Sequence, residues 1–410
     1  MSSRINRMYE FGPFCLNPSE RRFLRGSEPI PLRVKVFDTL ALLVENHGRL
    51  LSKDELMKAV WPDAVVEENN LNHNISVLRK ALGDGATGQR YIETVPRVGY
   101  RFVAQVREVG AGAATTAPSA SATLPVRQEI RFCTAPDGVR IAYSTVGSGP
   151  PLVKAANWLN HLEFEWQSPI WSHWIRELVR HHRLVRYDER GNGLSDWTAR
   201  DLSFPAWIRD FEAVVEAANM ERFALLGISQ GGAVAIAYAA RHPEKVSHLV
   251  LYGAFARGWM HQDSREEIER RQALMTLVRL GWGSNNPAFR QLWTTCFFPD
   301  ATPEQMDWFN ELQGISASPD NAEKLMREAG RINVVDLLPQ VRVPTLVVHC
   351  EDEHAVPFAE GRLIASSIPG ARFVPLPGRN HLVLPTEPAW AIFLREMGDF
   401  LGWEKGVGAQ

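Results

Sequence analysis

Short apolar runs alternate with amphipathic segments along most of the chain, from residue 129 onward. Buried strands of a parallel sheet are typically continuous apolar runs, and the helices that cover such a sheet have one apolar face. Residues 204–217 have the helical spacing expected of such a helix. The pattern predicts an α/β fold with a mostly parallel sheet. The strand candidates are residues 130–134, 139–144, 152–156, 183–187, 223–226, 246–252, 345–349 and 372–375.

After the sixth predicted strand the alternation stops, and helix-like segments occupy residues 265–280, 303–312 and 321–329. We therefore predict a helical cap over about residues 256–338, inserted into the sheet domain. Its aromatic residues either line an apolar pocket or pack the cap onto the sheet, and core packing is favoured for each of them. These residues are Trp259, Trp282, Trp293, Phe297, Phe298 and Trp308.

The first hundred residues have a different pattern. Two strand-like segments precede three helix-like segments and a final pair of short apolar runs around a basic turn. Ser52 followed by Glu55 predicts a capping box at the start of the second helix. This arrangement is typical of a winged helix-turn-helix, an α+β fold. The strands are expected at residues 9–16 and 21–32, the helices at 37–44, 52–61 and 69–82, and the hairpin at 91–95 and 100–103.

Residues 107–125 are dominated by Ala, Gly, Ser, Thr and Pro and have no periodic apolar face. Such a composition predicts a flexible tether, and its polar content excludes a membrane span. The predicted protein is therefore multidomain. It has a winged helix in residues 1–106, a linker in 107–125, and an α/β domain in 126–405.

Charge and cysteine content add limits on function. Residues 1–106 contain 15 Lys and Arg against 12 Asp and Glu, although the whole chain has a net charge of -2. A mildly basic N-terminal part permits nucleic-acid binding. Cys15, Cys133, Cys296 and Cys350 lie far apart, which predicts free thiols and argues against a metal site. With no signal-peptide pattern and no long apolar run, we expect a cytoplasmic protein without cofactor, metal or membrane contact.

The third predicted helix has the chemistry of DNA contact. Amide, imidazole and hydroxyl groups hydrogen-bond base edges in the major groove, and an arginine at the wing tip, Arg97, can enter the minor groove. Three alternatives stay open: a winged helix used only for protein contact, a solvated His73, and an Arg79 that pairs with a carboxylate. The candidate DNA contacts are Asn72, His73, Asn74, Ser76, Val77, Arg79, Lys80 and Arg97.

Two runs resemble the OmpR/PhoB-type transcriptional regulatory domain. They are Leu-Arg-Lys-Ala-Leu at residues 78–82 and Ile-Glu-Thr-Val-Pro-Arg-Val-Gly-Tyr-Arg-Phe at residues 92–102. The resemblance implies that the third helix reads the major groove and that residues 62–68 contact RNA polymerase or a neighbouring subunit. Ser76 and Val77 stand where such helices often carry arginines. Fewer phosphate contacts imply weaker binding with a shallower salt dependence.

A Gly-Ile-Ser-Gln-Gly motif occupies residues 227–231, between the fifth predicted strand and an Ala-rich segment at 233–240. In a strand-turn-helix setting the serine of G-x-S-x-G is held on a tight turn as a nucleophile, with small neighbours that relieve crowding. A pentapeptide also occurs by chance, so its weight depends on this context and on partners downstream. Ser229 is the candidate nucleophile.

A nucleophilic serine needs an imidazole to take its proton and a carboxylate to orient that imidazole. His381 follows a strand and a Gly-containing loop, which predicts a position at the carboxyl edge of the sheet. Asp352 and Glu353 follow the preceding strand and are both candidate acids. The partners thus follow Ser229 in the order acid, then histidine.

This order, together with the Tyr-Asp-Glu-Arg-Gly-Asn-Gly-Leu-Ser-Asp segment at residues 187–196, resembles the α/β-hydrolase superfamily. The resemblance implies that this segment braces the site by hydrogen bonds. It also favours Glu353, which stands at the family's aspartate position, over Asp352. The oxyanion hole is then expected from the backbone amides of Gln230 and Trp158. The loop around Trp158 lacks the His-Gly pair of many relatives.

These features predict a transcription regulator in which a DNA-binding domain is fused to an α/β-hydrolase sensor domain. Its expected partners are double-stranded promoter DNA, a second copy in a homodimer, and a small, largely apolar ester, lactone or ring-cleavage product. We expect a serine hydrolase that acts through a Ser229 acyl-enzyme. Two alternatives stay open: a hydrolase-fold sensor without turnover, and a metabolic serine hydrolase with an accessory winged helix.

Overall fold

The protein has two compact units, residues 1–122 and 123–410, each with its own hydrophobic core. The multidomain prediction is therefore confirmed. The computed structural model describes residues 7–18, 22–26, 28–30, 32, 34–60, 68–84, 90–95, 98–110, 128–282 and 287–403.

The N-terminal unit contains, in chain order, β1 (Arg7–Phe11), β2 (Phe14–Asn17), β3 (Arg22–Arg25), β4 (Glu28–Pro29), α1 (Val34–Glu45), β5 (Leu50–Ser52), α2 (Lys53–Val60), α3 (Glu68–Leu82), β6 (Ile92–Val95), β7 (Gly99–Phe102) and β8 (Arg107–Gly110). One antiparallel sheet has the strand order β4-β3-β2-β1-β8, and a second has the order β5-β7-β6. The predicted winged helix-turn-helix is confirmed, with α3 as its third helix and β6-β7 as its wing.

Strand β8 corrects the prediction that the flexible linker begins at residue 107. Arg107–Gly110 pair antiparallel with the first strand, with Met8 opposite Val109 and Tyr9 opposite Glu108. This pairing satisfies backbone groups that β1 would otherwise expose as a sheet edge. The pairing uses backbone groups of a segment far earlier in the chain, so local composition does not reveal it. The rest of the predicted linker lies outside the described residues.

The apolar face predicted for the third helix is confirmed. Leu71, Ile75 and Leu78 are buried in the core of the N-terminal unit. An edge-to-face contact, with ring centroids 5.0 Å apart, joins Phe11 of the first sheet to Phe102 of the hairpin. The aromatic contact ties the N-terminal sheet to the wing, and these rings belong to the same hydrophobic core as the inner face of the helix.

The capping box predicted for the second helix is present. The backbone N–H of Glu55 donates to Oγ of Ser52 at 3.1 Å, and the backbone N–H of Ser52 donates to Oε2 of Glu55 at 2.9 Å. These bonds satisfy two donors at the start of α2 that have no partner within the helix. Residues 62–67 and Arg97, which include most of the predicted polymerase contact and the wing arginine, lie outside the described residues.

The C-terminal unit contains, in chain order, β9 (Glu129–Thr134), β10 (Arg140–Val146), β11 (Pro151–Lys154), α4 (Leu162–Trp166), α5 (Ser172–His181), β12 (Arg183–Tyr187), α6 (Phe204–Ala217), β13 (Phe223–Ile228), α7 (Gly231–Arg241), β14 (Val246–Tyr252), α8 (Arg265–Gly281), α9 (Pro287–Phe297), α10 (Pro303–Ser316), α11 (Pro319–Arg331), β15 (Thr345–Cys350), α12 (Phe358–Ser367), β16 (Arg372–Leu376) and α13 (Pro388–Leu401). All the predicted strands are present. Their order in the sheet is β16-β15-β14-β13-β11-β12-β10-β9. Strands β9 and β10 are antiparallel to their neighbours, and the others pair in parallel.

The centre of this sheet positions the candidate nucleophile. Every residue of β13 is buried, and α7 is buried along nearly its whole length. Parallel strands open their carboxyl ends onto one edge of the sheet, where ligands bind in open α/β sheets. The turn after β13, the loop after β15 and the loop after β16 all lie at that edge.

The segment between β14 and β15 is helical, as the loss of the strand pattern predicted. It contains α8 to α11 and two short 3-10 helices, Trp259–His261 and Val335–Gln340. Among the residues that the structure describes, no helix is both long enough and apolar enough to cross a bilayer.

Candidate functional sites

Ser229 stands on a sharp turn between β13 and α7. Its φ is 52°, a left-handed conformation that a residue with a Cβ rarely adopts. The backbone N–H of Ser229 donates to the Tyr252 carbonyl at 3.0 Å, which ties the turn to the end of the neighbouring strand. The strand-turn-helix context that the G-x-S-x-G motif requires is therefore present.

The glycines on either side of this turn occupy positions where a side chain does not fit. A Cβ on Gly227 would lie 2.7 Å from Cα of Gly232 and 2.8 Å from Cβ of Ala235. A Cβ on Gly231 would lie 2.5 Å from the carbonyl oxygen of Ala156. Because atoms this close would clash, the strand and helix meet at the serine only when both positions are glycine.

His381 and Glu353 are brought together in a buried contact. Nδ1 of His381 binds Oε2 of Glu353, and both residues are buried. The backbone N–H of His381 donates to the Phe297 carbonyl of the cap at 2.7 Å, and the Phe297 ring packs edge-on at 5.3 Å. Among the described residues, Nε2 of His381 has no hydrogen-bond partner. This nitrogen is the one that a triad uses to accept the serine proton.

Glu353, and not Asp352, is the carboxylate beside the histidine. Asp352 is exposed. Burial raises the pKa of the Glu353 carboxyl, but the charge of His381 and contacts with His349 and His381 outweigh burial and hold that pKa below its usual value. Glu353 is therefore ionised at neutral pH, which is the state that orients an imidazole and stabilises its cation.

Gln230 and Trp158, the predicted oxyanion-hole residues, line the same cleft as Ser229. Gln230 follows the serine directly at the start of α7, and its side-chain Nε2 donates to Oε1 of Glu189 at 2.5 Å. The Trp158 ring packs edge-on against Trp293, with centroids 5.6 Å apart. These contacts hold the side chains of the two residues whose backbone amides are the predicted donors.

A buried lysine supports the loop that stands in place of the His-Gly pair. Nζ of Lys154 binds Oδ1 of Asn157, the residue before Trp158, and lies 5.0 Å from the centre of the Trp171 ring. Burial lowers the pKa of Lys154 to about 8, against the opposing charge of Glu165. The loop is therefore anchored by an ammonium group whose charged form is disfavoured by burial away from water.

The cleft in front of Ser229 encloses about 790 Å³ of space, counting its open mouth. Its walls are largely apolar and come from both the sheet edge and the cap. Its polar members include Glu267 and Arg271: Nε of Arg271 donates to Glu267 at 2.7 Å, and another N–H group donates to the Ala355 carbonyl at 2.6 Å. Since these groups satisfy one another, the surface left for a ligand is mainly apolar. The lining residues from the cap include Trp259, Leu274, Met275, Trp293, Phe297 and Met326.

The cap aromatic residues divide between the two roles that the sequence left open. Trp282 stacks on Trp158 with centroids 5.3 Å apart, and Trp308 stacks on Phe164 at 4.7 Å. Both cap tryptophans, like Phe298, are buried in packing. The residues that line the cleft are Trp259, Trp293 and Phe297.

Two family models match the chain. The model for the alpha/beta hydrolase fold matches residues 164–388, which is more than half of the chain. The chain belongs to the alpha/beta hydrolase fold family. A second model, described as transcriptional regulatory protein, C terminal, matches residues 27–102. This member of the alpha/beta hydrolase fold family therefore carries an N-terminal winged-helix domain of the OmpR/PhoB type, which confirms both resemblances seen in the sequence.

Relatives of the two domains are found in different proteins. Pyrrolizixenacetamide deacetylase of Xenorhabdus hominickii is 28% identical over 259 residues, which span 62% of this chain and 92% of that protein. Transcriptional regulator HilA of Salmonella typhi is 33% identical over 124 residues, which span 30% of this chain but only 22% of the regulator. A solved hydrolase from Pseudomonas aeruginosa PA01 has a TM-score of 0.56 at 22% identity, covering 67% of this chain and 98% of its own, and supports the fold alone.

In the winged-helix domain, helix α3 presents a polar surface. Asn72, Ser76 and Lys80 are exposed. The Tyr100 hydroxyl of the wing donates to Oδ1 of Asn72 at 2.7 Å. Val77 is half-buried and packs against the core of the domain. The side chain of the predicted contact at position 73, like the wing arginine, lies outside the described part of the chain.

Two candidate DNA contacts have other partners. Asn74 is buried, and its amide donates to the Lys35 carbonyl at 3.1 Å and to the Thr39 hydroxyl at 3.0 Å. The prediction that Asn74 faces DNA is corrected, because it joins α3 to α1 from the inner face of the helix. Nε of Arg79 lies 3.5 Å from Asp84, which is the carboxylate pairing that the sequence left open as an alternative.

Residues 187–196, which the resemblance expects to brace the site, make buried polar contacts, and one of these is the bond from Gln230 to Glu189. Arg190 is fully buried, 2.6 Å from a carboxylate oxygen of Asp210 and 2.6 Å from one of Asp137. Neither aspartate was predicted from the sequence. Asp210 lies on the buried face of the predicted helix at residues 204–217, and a charged residue on an apolar face was the available signal. His349, which contacts Glu353, was not predicted either, because the sequence carried no comparable signal for it.

Proposed function

We propose that this protein is a transcription regulator whose hydrolase domain binds and hydrolyses a small, largely apolar ester, lactone or ring-cleavage product. The observation that carries the proposal is the buried pair of Glu353 and His381, whose imidazole packs against Phe297, a lining residue of the aromatic cleft that holds Ser229. A serine on a nucleophile elbow, a histidine and an ionised acid form the set that acyl transfer requires. We place its action in the cytoplasm, on promoter DNA, as a homodimer.

In the proposed reaction, Oγ of Ser229 attacks the substrate carbonyl carbon while Nε2 of His381 takes the hydroxyl proton. Backbone N–H groups of Gln230 and Trp158 stabilise the negative charge that develops on the carbonyl oxygen. The carbon–oxygen bond to the leaving alcohol then breaks, and His381 returns the proton to that oxygen. Water that loses a proton to His381 attacks the acyl carbon, the acid is released, and Ser229 regains its proton. Glu353 orients the ring and stabilises its cation throughout.

The proposal is tested by covalent labelling of the full chain with a fluorophosphonate probe, followed by peptide mass analysis. We expect labelling at Ser229 in the wild type and none in Ser229→Ala. Ser366→Ala is the matched control, since this exposed serine on α12 is outside the cleft, and it is expected to label normally. Turnover of a panel of aryl and alkyl esters measures the same property without a covalent trap.

Failure of labelling and turnover in a protein with an intact thermal unfolding transition would contradict hydrolysis. The alternative is then a hydrolase-fold sensor without turnover, which a ligand-dependent rise in Tm across a compound library would support. Hydrolysis without any gel-mobility shift of promoter DNA by the full chain would instead favour a metabolic hydrolase with an accessory winged helix.

The DNA contacts that we propose are those of the exposed face of α3 and of the wing. With α3 in the major groove, polar groups of the helix reach base edges and Lys80 binds phosphate. Residues 62–68 are proposed to contact RNA polymerase or a neighbouring subunit. The proposed contacts with DNA, to bases, groove or phosphate, are Asn72, His73, Ser76, Lys80 and Arg97.

A ligand in the cleft regulates DNA binding only if it favours one arrangement of the protein over another.

A further inference from the structure

His349, at the end of β15, contacts the proposed triad acid through its second oxygen. Nε2 of His349 lies 2.6 Å from Oε1 of Glu353, while Oε2 binds His381. The side chains of His349 and Glu353 are fully buried, at 0% exposure each. The same Nε2 lies 3.2 Å from the carbonyl oxygen of Val356. One carboxylate is therefore held between two imidazoles in a site that excludes bulk water.

The neighbours of this imidazole fix where its proton sits. Glu353 Oε1 and the Val356 carbonyl are both acceptors, so Nε2 of His349 must carry a hydrogen. Among the two acceptors, the Val356 carbonyl accepts the hydrogen bond, and Oε1 of Glu353 makes an electrostatic contact with the same nitrogen. Among the described residues, neither Nδ1 of His349 nor Oε1 of Glu353 has a hydrogen-bond partner. A hydrogen on Nδ1 would be buried without an acceptor among the described residues, so the hydrogen that the surroundings use is the one on Nε2.

Packing fixes the orientation of the His349 ring. A Cβ on Gly361 of α12 would lie 2.5 Å from Nδ1 and 2.9 Å from Cγ of the ring. The Phe358 ring packs edge-on at 5.8 Å. Because glycine is what lets the helix approach so closely, the ring has no room to turn away from the loop of residues 353–356.

We propose that His349 is a positioning residue for the triad acid. It contacts both ends of the loop, at Glu353 and at Val356, and so sets where the carboxylate lies. A glutamate has one more rotatable bond than the aspartate usual at this position, and confining it costs more side-chain entropy. The buried imidazole confines the carboxylate with Oε2 toward Nδ1 of His381. The functional part of this inference rests on the proposed hydrolysis, whereas the contact itself does not require turnover.

Three variants separate positioning from general packing. His349→Phe keeps a ring but removes the donor. His349→Gln restores a donor, because its Nε2 stands the same number of bonds from Cα as Nε2 of histidine. Gly361→Ala displaces the ring while it leaves every group of the proposed triad in the chain. Thermal unfolding of each variant establishes that the hydrolase domain is folded.

The first readout is the far-downfield proton NMR signal of Nδ1–H in the Glu353–His381 pair, assigned by its loss in His381→Gln. We expect the signal in the wild type and in His349→Gln, and its loss or a large upfield shift in His349→Phe and Gly361→Ala. The second readout is the pH profile of kcat/KM for an ester substrate. For His349→Phe we expect kcat to fall about 10²-fold with KM unchanged, as for a misplaced catalytic group. We also expect the pH profile of kcat/KM to change in His349→Phe and to keep its wild-type form in His349→Gln, since only the latter keeps the carboxylate in place.

A wild-type signal position in both His349→Phe and Gly361→Ala would overturn the proposal, as would a fall in kcat in His349→Phe with a pH profile that does not change. Equal losses of the NMR signal and of kcat in His349→Gln and His349→Phe would also contradict the proposal, because the donor restored in His349→Gln is expected to restore both. If the wild type shows no turnover at all, the proposed hydrolysis fails, while the NMR comparison still decides the role of His349. The two failures are therefore distinguishable.

Discussion

The two domains place their candidate functional residues in opposite environments. On α3 of the winged helix, Ser76 and Lys80 are exposed to solvent. In the hydrolase domain, Glu353 and His381 are buried and bind each other. An exposed side chain meets its ligand on its own, whereas a buried pair works only when each member is in place. The contrast predicts small, additive effects on DNA binding and large, non-additive effects on hydrolysis.

The strongest test of this contrast is the double variant Ser229→Ala/His381→Ala. We expect each single variant to lower kcat by about 10⁴- to 10⁶-fold, because the nucleophile and its base act as one unit. The double variant is then expected to lose no more than the worse single variant. The rate of ester hydrolysis is measured for both single variants and for the double variant. If the fold-loss in kcat of the double variant equals the product of the two single fold-losses, the two residues act independently and the contrast between the domains is removed.

A second prediction concerns the acid and pH. The pKa of Glu353 is lower in the folded protein than its usual value of 4.5, so the folded state holds this carboxylate ionised. Its contribution to stability is complete above pH 4.5 and is lost as pH falls through the folded pKa. Glu353→Gln is expected to destabilise the hydrolase domain by about 3 kcal/mol at neutral pH, as when one partner of a buried pair is removed.

Urea unfolding followed by tryptophan fluorescence measures that difference. The difference in the free energy of unfolding between the wild type and Glu353→Gln is expected to decrease as the solution is acidified. Asp352→Asn is the matched control, since the exposed neighbour is expected to show no such pH-dependent gap. A constant gap in Glu353→Gln across the acidic range would contradict an ionised Glu353 in the folded state.

A third and smaller effect is expected at alkaline pH. The pKa of Lys154 falls from 10.5 to about 8 on burial, so between these values the unfolded chain binds the proton and the folded chain does not. The stability of the wild type relative to Lys154→Met therefore rises with pH above 8. One unit of pKa corresponds to about 1.4 kcal/mol. The difference in the free energy of unfolding is therefore expected to rise by about 2 kcal/mol over the first one and a half pH units or so above 8. Urea unfolding at a series of alkaline pH values checks this, and a flat difference would argue for a solvated lysine.

Much of this structure could be predicted because burial leaves a periodic trace in the sequence. The eight strands of the hydrolase sheet and the inner face of α3 were found from apolar spacing. The context of Ser229 followed from the strand and helix on either side of it. Strand β8 was missed because its pairing with β1 is made by backbone groups, whose partners no side-chain pattern specifies.

The remaining differences come from tertiary contacts. Asn74 looked like its exposed neighbours, but it lies on the inner face of α3 with partners on another helix. Asp352 and Glu353 are adjacent, and only the path of the loop turns one outward and the other toward His381. His349 carried no signal because it acts through contacts that exist only in the folded domain. Polar residues in buried sites are therefore the class that sequence reasoning places least well.

The smallest expected effects lie on the exposed face of α3. Lys80→Ala is expected to weaken binding to promoter DNA by up to about tenfold and to reduce the slope of log K against log salt by about 0.9, the value for one phosphate contact. In the double variant Ser76→Ala/Lys80→Ala, we expect the loss of binding free energy to equal the sum of the two single losses within about 0.5 kcal/mol. Exposed side chains that contact different groups of the DNA act independently. Fluorescence anisotropy over a range of salt concentrations measures both.

Asn74→Ala is the contrasting control, because loss of its bonds to α1 is expected to lower the stability of the winged helix and leave the salt slope unchanged. Strong coupling between positions 76 and 80 would show that the DNA surface, like the hydrolase site, works as one unit.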